Sequence, residues 1–252
     1  MVILYSNLNF DIGTNGELYK TIRIFIASII KSNTFLLYKN MQEKELYGMR
    51  RDYSPKPLYV EDLNNDPFLL FEKWFKEALE LENGEANAMV LSTVGNDMMP
   101  SSRMVLLKKY SDSGFVFFTN YKSHKGRQLE ENNRAALLFF WPNSMRQVRI
   151  EGNVKKISTA KSDEYFDSRP RESRASSALS RQSEPLQERD PFDSEIKNLS
   201  ESNREIKRPG HWGGYIVEPV LFEFWQGGIK RSHDRFRFTK NGTEWEVVRL
   251  YP

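Results

Sequence analysis

The 252-residue chain has no cysteine. That excludes disulfides, thiol catalysis and thiolate metal sites, and it suits a reducing compartment. Histidine is scarce as well: His124, His211 and His233 are the three copies, too dispersed for a local metal motif, so no structural metal is expected. Acid is missing from Leu18 to Gln42. Within that stretch Ile22, Phe25, Ile26, Ile29 and Ile30 recur at helical spacing, with Lys20, Arg23 and Lys31 on the other side, the pattern of a basic amphipathic helix. Arg23 and Lys31 cut the apolar run well short of the ~20 residues a membrane span needs, which excludes stable insertion of this segment. The stretch suits a mitochondrial-type targeting segment and equally a variable extension. On either reading residues 1–45 stand outside a folded domain of residues 46–252, and the expected location is cytoplasmic unless residues 18–42 direct the chain to mitochondria.

A large charge of one sign is also lacking. Thirty-seven basic residues face 34 acidic ones, a net charge of +3 without a concentrated Lys/Arg block, so nothing calls for a nucleic-acid partner. What the chain does have is 39% hydrophobic and 13% aromatic residues, with Phe and Tyr concentrated in alternating runs. Asp66-Pro67 followed by Phe71, Trp74, Phe75, Ala78 and Leu79 predicts a helix that Asp66 caps, with Gly84 just past its end. Strands are predicted over 88–94, 104–108, 115–119, 135–141 and 146–157. Short turns join them, which points to an antiparallel barrel or sandwich rather than a parallel sheet. Between Ser158 and Pro209 the pattern turns helical and polar. Composition predicts a mobile surface loop over Arg169–Arg189, and four further strands over 213–218, 220–226, 233–238 and 245–250.

The stretch Arg103 to Gln128 draws the eye as a site. Met104–Lys108 and Phe115–Thr119 read as a hairpin about Ser111-Asp112-Ser113-Gly114, and Ser123-His124-Lys125-Gly126-Arg127 opens a short helix through Leu129. Arg103, Lys108, Lys125 and Arg127 thus flank a hairpin and a helix N-terminus, a setting that favours an anion such as a phosphate. Basic residues near strand ends also occur as a solvated rim, and composition alone does not separate the two readings.

Six motifs in order do separate them: RMVLLK at Arg103–Lys108, FFTN at Phe117–Asn120, RQVRIEG at Arg146–Gly152, YFDSRPRES at Tyr165–Ser173, SRQS at Ser180–Ser183 and FWQGGIKRSHDRF at Phe224–Phe236. With the terminal RLYP they resemble the pyridoxine/pyridoxamine 5'-phosphate oxidases, collinearly from about Met49 to Pro252. The resemblance implies a mainly β fold with flanking helices (α+β), a split β-barrel working as a homodimer with FMN at the subunit interface. It implies oxidation of pyridoxamine 5'-phosphate and pyridoxine 5'-phosphate to pyridoxal 5'-phosphate by hydride transfer to FMN, with O₂ reduced to hydrogen peroxide. The implied FMN shell is Arg103, Met104, Val105, Leu106, Leu107 and Lys108 from the first motif, then Phe118, Thr119, His124, Lys125, Gln147, Gln182, Ser183, Trp225 and Arg235. The implied substrate shell is Lys108, Tyr165, Arg169 and Ser173 about the phosphate, Arg231 and His233 beside the ring as the catalytic pair, and Arg50 and Tyr53 in a lid.

Elementary chemistry agrees with this assignment. A phosphate dianion asks for charge-assisted donors, which Lys108, Arg169, Tyr165 and Ser173 supply. If residues 231–235 are extended, Arg231, His233 and Arg235 project from one face. Two departures stand out. The family pattern reads Ser-Arg-Lys where this chain has Ser123-His124-Lys125, which predicts weaker FMN binding, and Ser-(Gln/Lys)-Ile-Gly-Ala where it has Ser173-Arg174-Ala175-Ser176-Ser177. The rival readings are an FMN- or pyridoxal-phosphate-binding carrier or regulator with weak or no oxidase activity, and another split-barrel flavoenzyme such as a flavin reductase. The retained substrate shell argues against both.

Overall fold

The computed structural model describes residue 48 and residues 57–63, 65–82 and 84–252. The expectations for residues 1–45, and for Arg50 and Tyr53, lie outside the described residues. Asp66 starts the first helix as its sequence predicts: its carboxylate accepts the Phe68 N–H at 2.9 Å, and Pro67 takes the first turn of α1 (Pro67–Leu81). Leu70, Phe71, Trp74, Phe75 and Ala78 are buried along one face of α1. They meet the sheet through ring contacts such as Phe71 with Phe115 at 4.8 Å and Trp74 with Phe224 at 5.3 Å. Each such side chain contributes roughly 1.5–3 kcal/mol by leaving water, so this face alone fastens the helix.

Among the described residues the sheet has nine antiparallel strands, β1 (Ala88–Val94), β2 (Pro100–Leu106), β3 (Lys109–Ser111), β4 (Gly114–Asn120), β5 (Arg134–Trp141), β6 (Arg146–Lys156), β7 (Trp212–Gln226), β8 (Asp234–Asn241) and β9 (Glu244–Leu250). Their order is β2-β1-β5-β6-β7-β4-β3, with β8 added to β7 and β9 to β8. β2 and β3 therefore lie at opposite ends of the path, yet only Leu107 and Lys108 separate them in sequence. The sheet must curl until its two ends meet at that link. The backbone shows the crossing directly: the Leu107 N–H donates to Asn87 O and the Lys108 N–H to Val116 O, each at 2.8 Å, one toward each end. This decides for a barrel over a sandwich, and the fold is a split barrel.

Three expectations are corrected. Met104 and its neighbours do not pair with Phe115–Thr119: β2 pairs with β1, and the hairpin partner of β4 is the short β3. Leu107 is buried while Lys108 and Lys109 are both exposed, a lapse in alternation that does not by itself reveal the change of partner. The strands expected over 213–218 and 220–226 are one strand, β7, 15 residues long. Pro219 is tolerated there because β4 pairs with β7 only as far as Val217 and β8 begins at Leu221, while β6 shifts register at Glu151/Gly152 opposite it. The expected loop over 169–189 is helical in its first half. Helices α2 (His124–Glu131), α3 (Thr159–Asp167), α4 (Arg171–Leu179) and α5 (Arg189–Glu201) complete the fold. Of α4 only Ala175 is buried, in a small second core with Phe166, Ile206 and Trp212, so the helix lacks the apolar stripe that would reveal it. Among the described residues no helix is long and apolar enough to cross a membrane.

Candidate functional site

Where the curled sheet meets α2 and α4, a cavity of about 690 Å³ opens. Of the residues singled out in the sequence, Arg103, Met104, Val105, Leu106, Lys108, Phe118, Thr119, Lys125, Tyr165, Arg169, Ser173 and Gln182 line it. Asn120, Pro170, Ser176, Ser177, Ser180 and Trp212 line it as well and were not singled out. Asn120 stood in the quoted FFTN, and the serines recur at helical spacing, so a signal was present for both.

Among the described residues the cavity wall carries four cations, Arg103, Lys108, Lys125 and Arg169, and no carboxylate. Arg103 is held from β2 by Leu91 O at 3.0 Å, Thr93 Oγ1 at 2.6 Å and Ser101 O at 3.0 Å, and burial pulls its pKa down. Lys125 follows Ser123, whose Oγ accepts the Gly126 N–H at 3.3 Å as the cap of α2. A side chain at Gly126 would meet Tyr121 O at 2.1 Å, so the helix can start this close to the sheet only with glycine there. Lys125 Nζ donates to Gln182 Oε1 at 2.9 Å and Ser123 Oγ at 3.3 Å. Burial, with the nearby Arg103 charge as the second cause, lowers its pKa to about 8. Gln182 also accepts from Thr119 Oγ1 at 3.3 Å, which ties the loop after α4 to β4.

Opposite these groups is an aromatic wall. Phe118 stacks on Tyr165 with centroids 3.9 Å apart and on Trp212 at 5.4 Å. The Arg169 guanidinium lies 4.8 Å over the Trp212 ring and donates to Ser177 Oγ at 2.7 Å. Cations, hydroxyls and flat apolar rings in one cavity match a ligand with a phosphate and an aromatic body.

The remaining singled-out residues lie elsewhere. Leu107 is turned into the main core. The exposed His124 ring meets Ser101 Oγ at 3.2 Å, and its amide donates to Ser183 Oγ at 3.1 Å, with Ser183 at φ 76°. Gln147, Trp225 and Arg235 stand in register across β6, β7 and β8 as a second row. Trp212 begins β7 and Trp225 is its last residue but one, so the row and the cavity lie at opposite ends of a strand spanning roughly 50 Å when straight. Glu223, buried beside that row, accepts from Arg235 Nη2 at 2.7 Å and Nε at 3.0 Å and from Arg149 Nη2 at 2.5 Å. Arg235 Nη1 donates to Tyr251 O at 3.1 Å.

The extended run expected over 231–235 is corrected. Ile229–Arg231 is a single tight turn with Lys230 at φ 50° and Arg231 at φ 63°. Glycine at 228 permits it: a Cβ there would meet Ser232 O at 1.8 Å. The turn brings the Gly228 N–H to Nδ1 of His233 at 3.1 Å, and the His233 ring lies 4.7 Å from that of Trp225. Burial, then the charges of Arg231 and Arg235, lower the His233 pKa. Arg231 itself is exposed. Among the described residues no cluster of His, Asp and Glu could hold a metal ion.

A family model described as pyridoxamine 5'-phosphate oxidase matches residues 72–202, and one described as the pyridoxine 5'-phosphate oxidase C-terminal dimerisation region matches residues 212–252. A pyridoxine/pyridoxamine 5'-phosphate oxidase of Thermosynechococcus vestitus is 49% identical over 205 residues, covering 81% of this chain and 97% of that protein. One from Hydrogenovibrio crunogenus is 44% identical over 216 residues, covering 84% of this chain and all of that protein. Among solved structures, PhzG from Burkholderia lata 383, in complex with tetrahydrophenazine-1-carboxylic acid, superposes with a TM-score of 0.75 at 29% identity over 79% of this chain. A pyridoxamine 5'-phosphate oxidase-related FMN-binding protein of Nostoc punctiforme shares the fold at a TM-score of 0.61 and 16% identity, over 72% of this chain.

Proposed function

The chain belongs to the pyridoxine/pyridoxamine 5'-phosphate oxidase family, and we propose that its cavity and the row Gln147–Trp225–Arg235 are two halves of one FMN and substrate site, joined when two copies pair. The enzyme oxidises pyridoxamine 5'-phosphate and pyridoxine 5'-phosphate to pyridoxal 5'-phosphate, with FMN as cofactor and O₂ as final acceptor, and it is a homodimer. The observation that carries the site proposal is the cavity wall of four cations without a carboxylate. The phosphates of FMN and of the substrate each bring about −1.5 to −2 charges, which four cations balance. The residues present therefore fit FMN. The position of the second row supports the rest: its Trp225 and Arg235 lie in the stretch matched by the dimerisation region, and the row stands at the far end of β7 from its own cavity. Exposed Met104 and Phe140, 60% and 54% accessible in the single chain, supply apolar surface for a partner.

When bound, FMN supplies the two-electron acceptor that side chains lack. The chain supplies everything else. Arg103, Lys125, Gln182 and Thr119 hold the cofactor phosphate, and Gln147, Trp225 and Arg235 of the second copy close over the cofactor. Lys108, Arg169, Tyr165 and Ser173 anchor the substrate phosphate, so that the pyridine ring has one orientation. His233 and Arg231 of the second copy flank the ring. The Nδ1 of His233 accepts the Gly228 N–H, so the neutral ring carries its proton on Nε2 and presents a donor to the substrate. Holding C4' at the acceptor in this way supplies ~7–11 kcal/mol in favourable cases. For the amine, water then hydrolyses the imine and ammonia leaves.

Residues 46–252 suffice for this activity on the same proposal, with residues 1–45 an extension. A cytoplasmic site of action, or a mitochondrial one directed by residues 18–42, is the matching proposal for location. Removal of residues 1–45 leaves turnover unchanged if this division holds, and a fluorescent fusion with and without them reads their effect on location. The oxidase itself is tested by adding pyridoxamine 5'-phosphate to FMN-loaded protein without oxygen. Bleaching of the flavin band is expected; FMN binding without bleaching would mean a carrier.

A further inference from the structure

Four serines, Ser173, Ser176, Ser177 and Ser180, face the cavity from α4 and the residue after it, at the i, i+3, i+4, i+7 spacing of one helical face. Two of them, Ser176 and Ser177, are the departures from the family pattern noted in the sequence. Ser177 has a defined task. Its Oγ accepts from Arg169 Nη1 at 2.7 Å, while the face of the same guanidinium lies 4.8 Å over Trp212. Stacking alone leaves a guanidinium free to turn in its own plane, because the ring beneath it attracts charge without selecting a direction. A single in-plane hydrogen bond removes that freedom and so aims the remaining N–H groups.

The backbone holds Ser177 in place in turn. Ser177 O lies 3.3 Å from His211 Nε2, next to Trp212, so the hydroxyl and the ring that hold Arg169 belong to one local unit. Ala175, two residues back, packs in the second core with Trp212 and fixes the rotation of α4 that points Ser177 inward.

We propose that Ser177 is a positioning residue that aims Arg169 at the substrate phosphate, acting on substrate capture rather than on the oxidation step. This rests on the assignment of Arg169 to that phosphate, so the experiment includes Arg169. Steady-state kinetics with pyridoxamine 5'-phosphate and FMN titrations of apoprotein are measured for wild type, Ser177→Ala, Ser177→Cys, Ser177→Thr and Arg169→Ala. Ser177→Ala and Ser177→Cys are expected to raise KM about five- to tenfold with kcat within about twofold, the scale of one lost hydrogen bond. Ser177→Thr, which keeps the hydroxyl, should restore KM to within about twofold. Inorganic phosphate, as a competitive inhibitor, should weaken in parallel with KM, while FMN affinity stays at the wild-type value in both serine variants. If Arg169→Ala leaves KM unchanged, the assignment of Arg169 fails and the proposal with it. If Arg169→Ala raises KM and neither serine variant does, or if they lower kcat at constant KM, Arg169 keeps its place and the role of Ser177 is refuted.

Discussion

Lys125 Nζ lies 2.9 Å from the neutral Oε1 of Gln182, and among the described residues no carboxylate lines the cavity they share. A buried ammonium in that position is short of countercharge, which is why burial and Arg103 bring its pKa to about 8. A bound phosphate reverses the shift. Above about pH 8 the ligand-free lysine is neutral and must take up a proton when the anion arrives. FMN affinity should therefore fall as pH rises from 8 to 9, with proton uptake measurable by calorimetry in buffers of different ionisation enthalpy. The stability of the apoprotein has the opposite sign. Its lysine gives up a proton near pH 8 and the unfolded chain only near the usual 10.5, so this group's contribution rises with pH between those values. Lys125→Arg should flatten the affinity profile; a wild-type profile already flat would remove Lys125 from the phosphate site.

The Gly228 amide can donate to His233 only while Nδ1 is unprotonated. Burial and the charges of Arg231 and Arg235 hold the ring below its usual pKa, with Asp234 opposing them. The acid limb of kcat/KM should accordingly fall below pH 6.5, where protonation breaks this latch. His233→Asn should lose that limb. Arg231→Ala and His233→Ala should cost about 1.5–3 kcal/mol in kcat/KM while FMN affinity changes far less. Variants with full kcat/KM would exclude both residues from the site.

His124 rests its ring on Ser101 and not on the cavity wall. His124→Ala should therefore leave FMN affinity within about twofold. His124→Arg, which restores a charged fork at the start of α2, should tighten FMN by about tenfold. FMN titrations of the three apoproteins decide it: a large loss in the alanine variant would show that the imidazole already serves the cofactor.

Glu223 is 4% exposed and lies between Arg149 and Arg235. Burial works to raise its pKa, and the two guanidiniums outweigh this and leave it below the ordinary carboxylate value. Its contribution to stability is present at neutral pH and lost as pH falls through that lowered value. Glu223→Ala takes the paired carboxylate from Arg235, while Arg149 keeps Glu151, and should cost about 1.5–3 kcal/mol in urea unfolding at pH 7. Because Arg235 also loses its anchor, FMN affinity should drop as well. Unchanged affinity would mean that Arg235 is positioned by Tyr251 O alone.

The sequence carried the site further than the fold. Twelve residues singled out in the sequence line one cavity, eleven of them from the six motifs and Lys125 from the start of α2, because the chemistry of a phosphate asks for residue types that stand out singly. Asp66-Pro67 announced α1 because a cap and a fixed φ are local properties. What stayed hidden depends on partners distant in sequence. The exchange of partners at Leu107–Lys108 shows in sequence only as a pair of exposed lysines, Pro219 looks like a break and is absorbed at a bulge, and α4 is a serine-rich helix whose one buried residue is Ala175. Ser176 and Ser177 were visible as departures, but their direction into the cavity required the rotation of that helix.

The length of β7 has a genetic consequence. On the proposed pairing each copy of the strand begins in one site and ends in the other, so a defect at either end of one chain damages a different site. Arg169→Ala and His233→Ala chains, both impaired as pure homodimers, should therefore complement when mixed. In the heterodimer one site collects both lesions and the other receives neither. Allele pairs at opposite ends of β7 should rescue each other, and pairs at the same end should not.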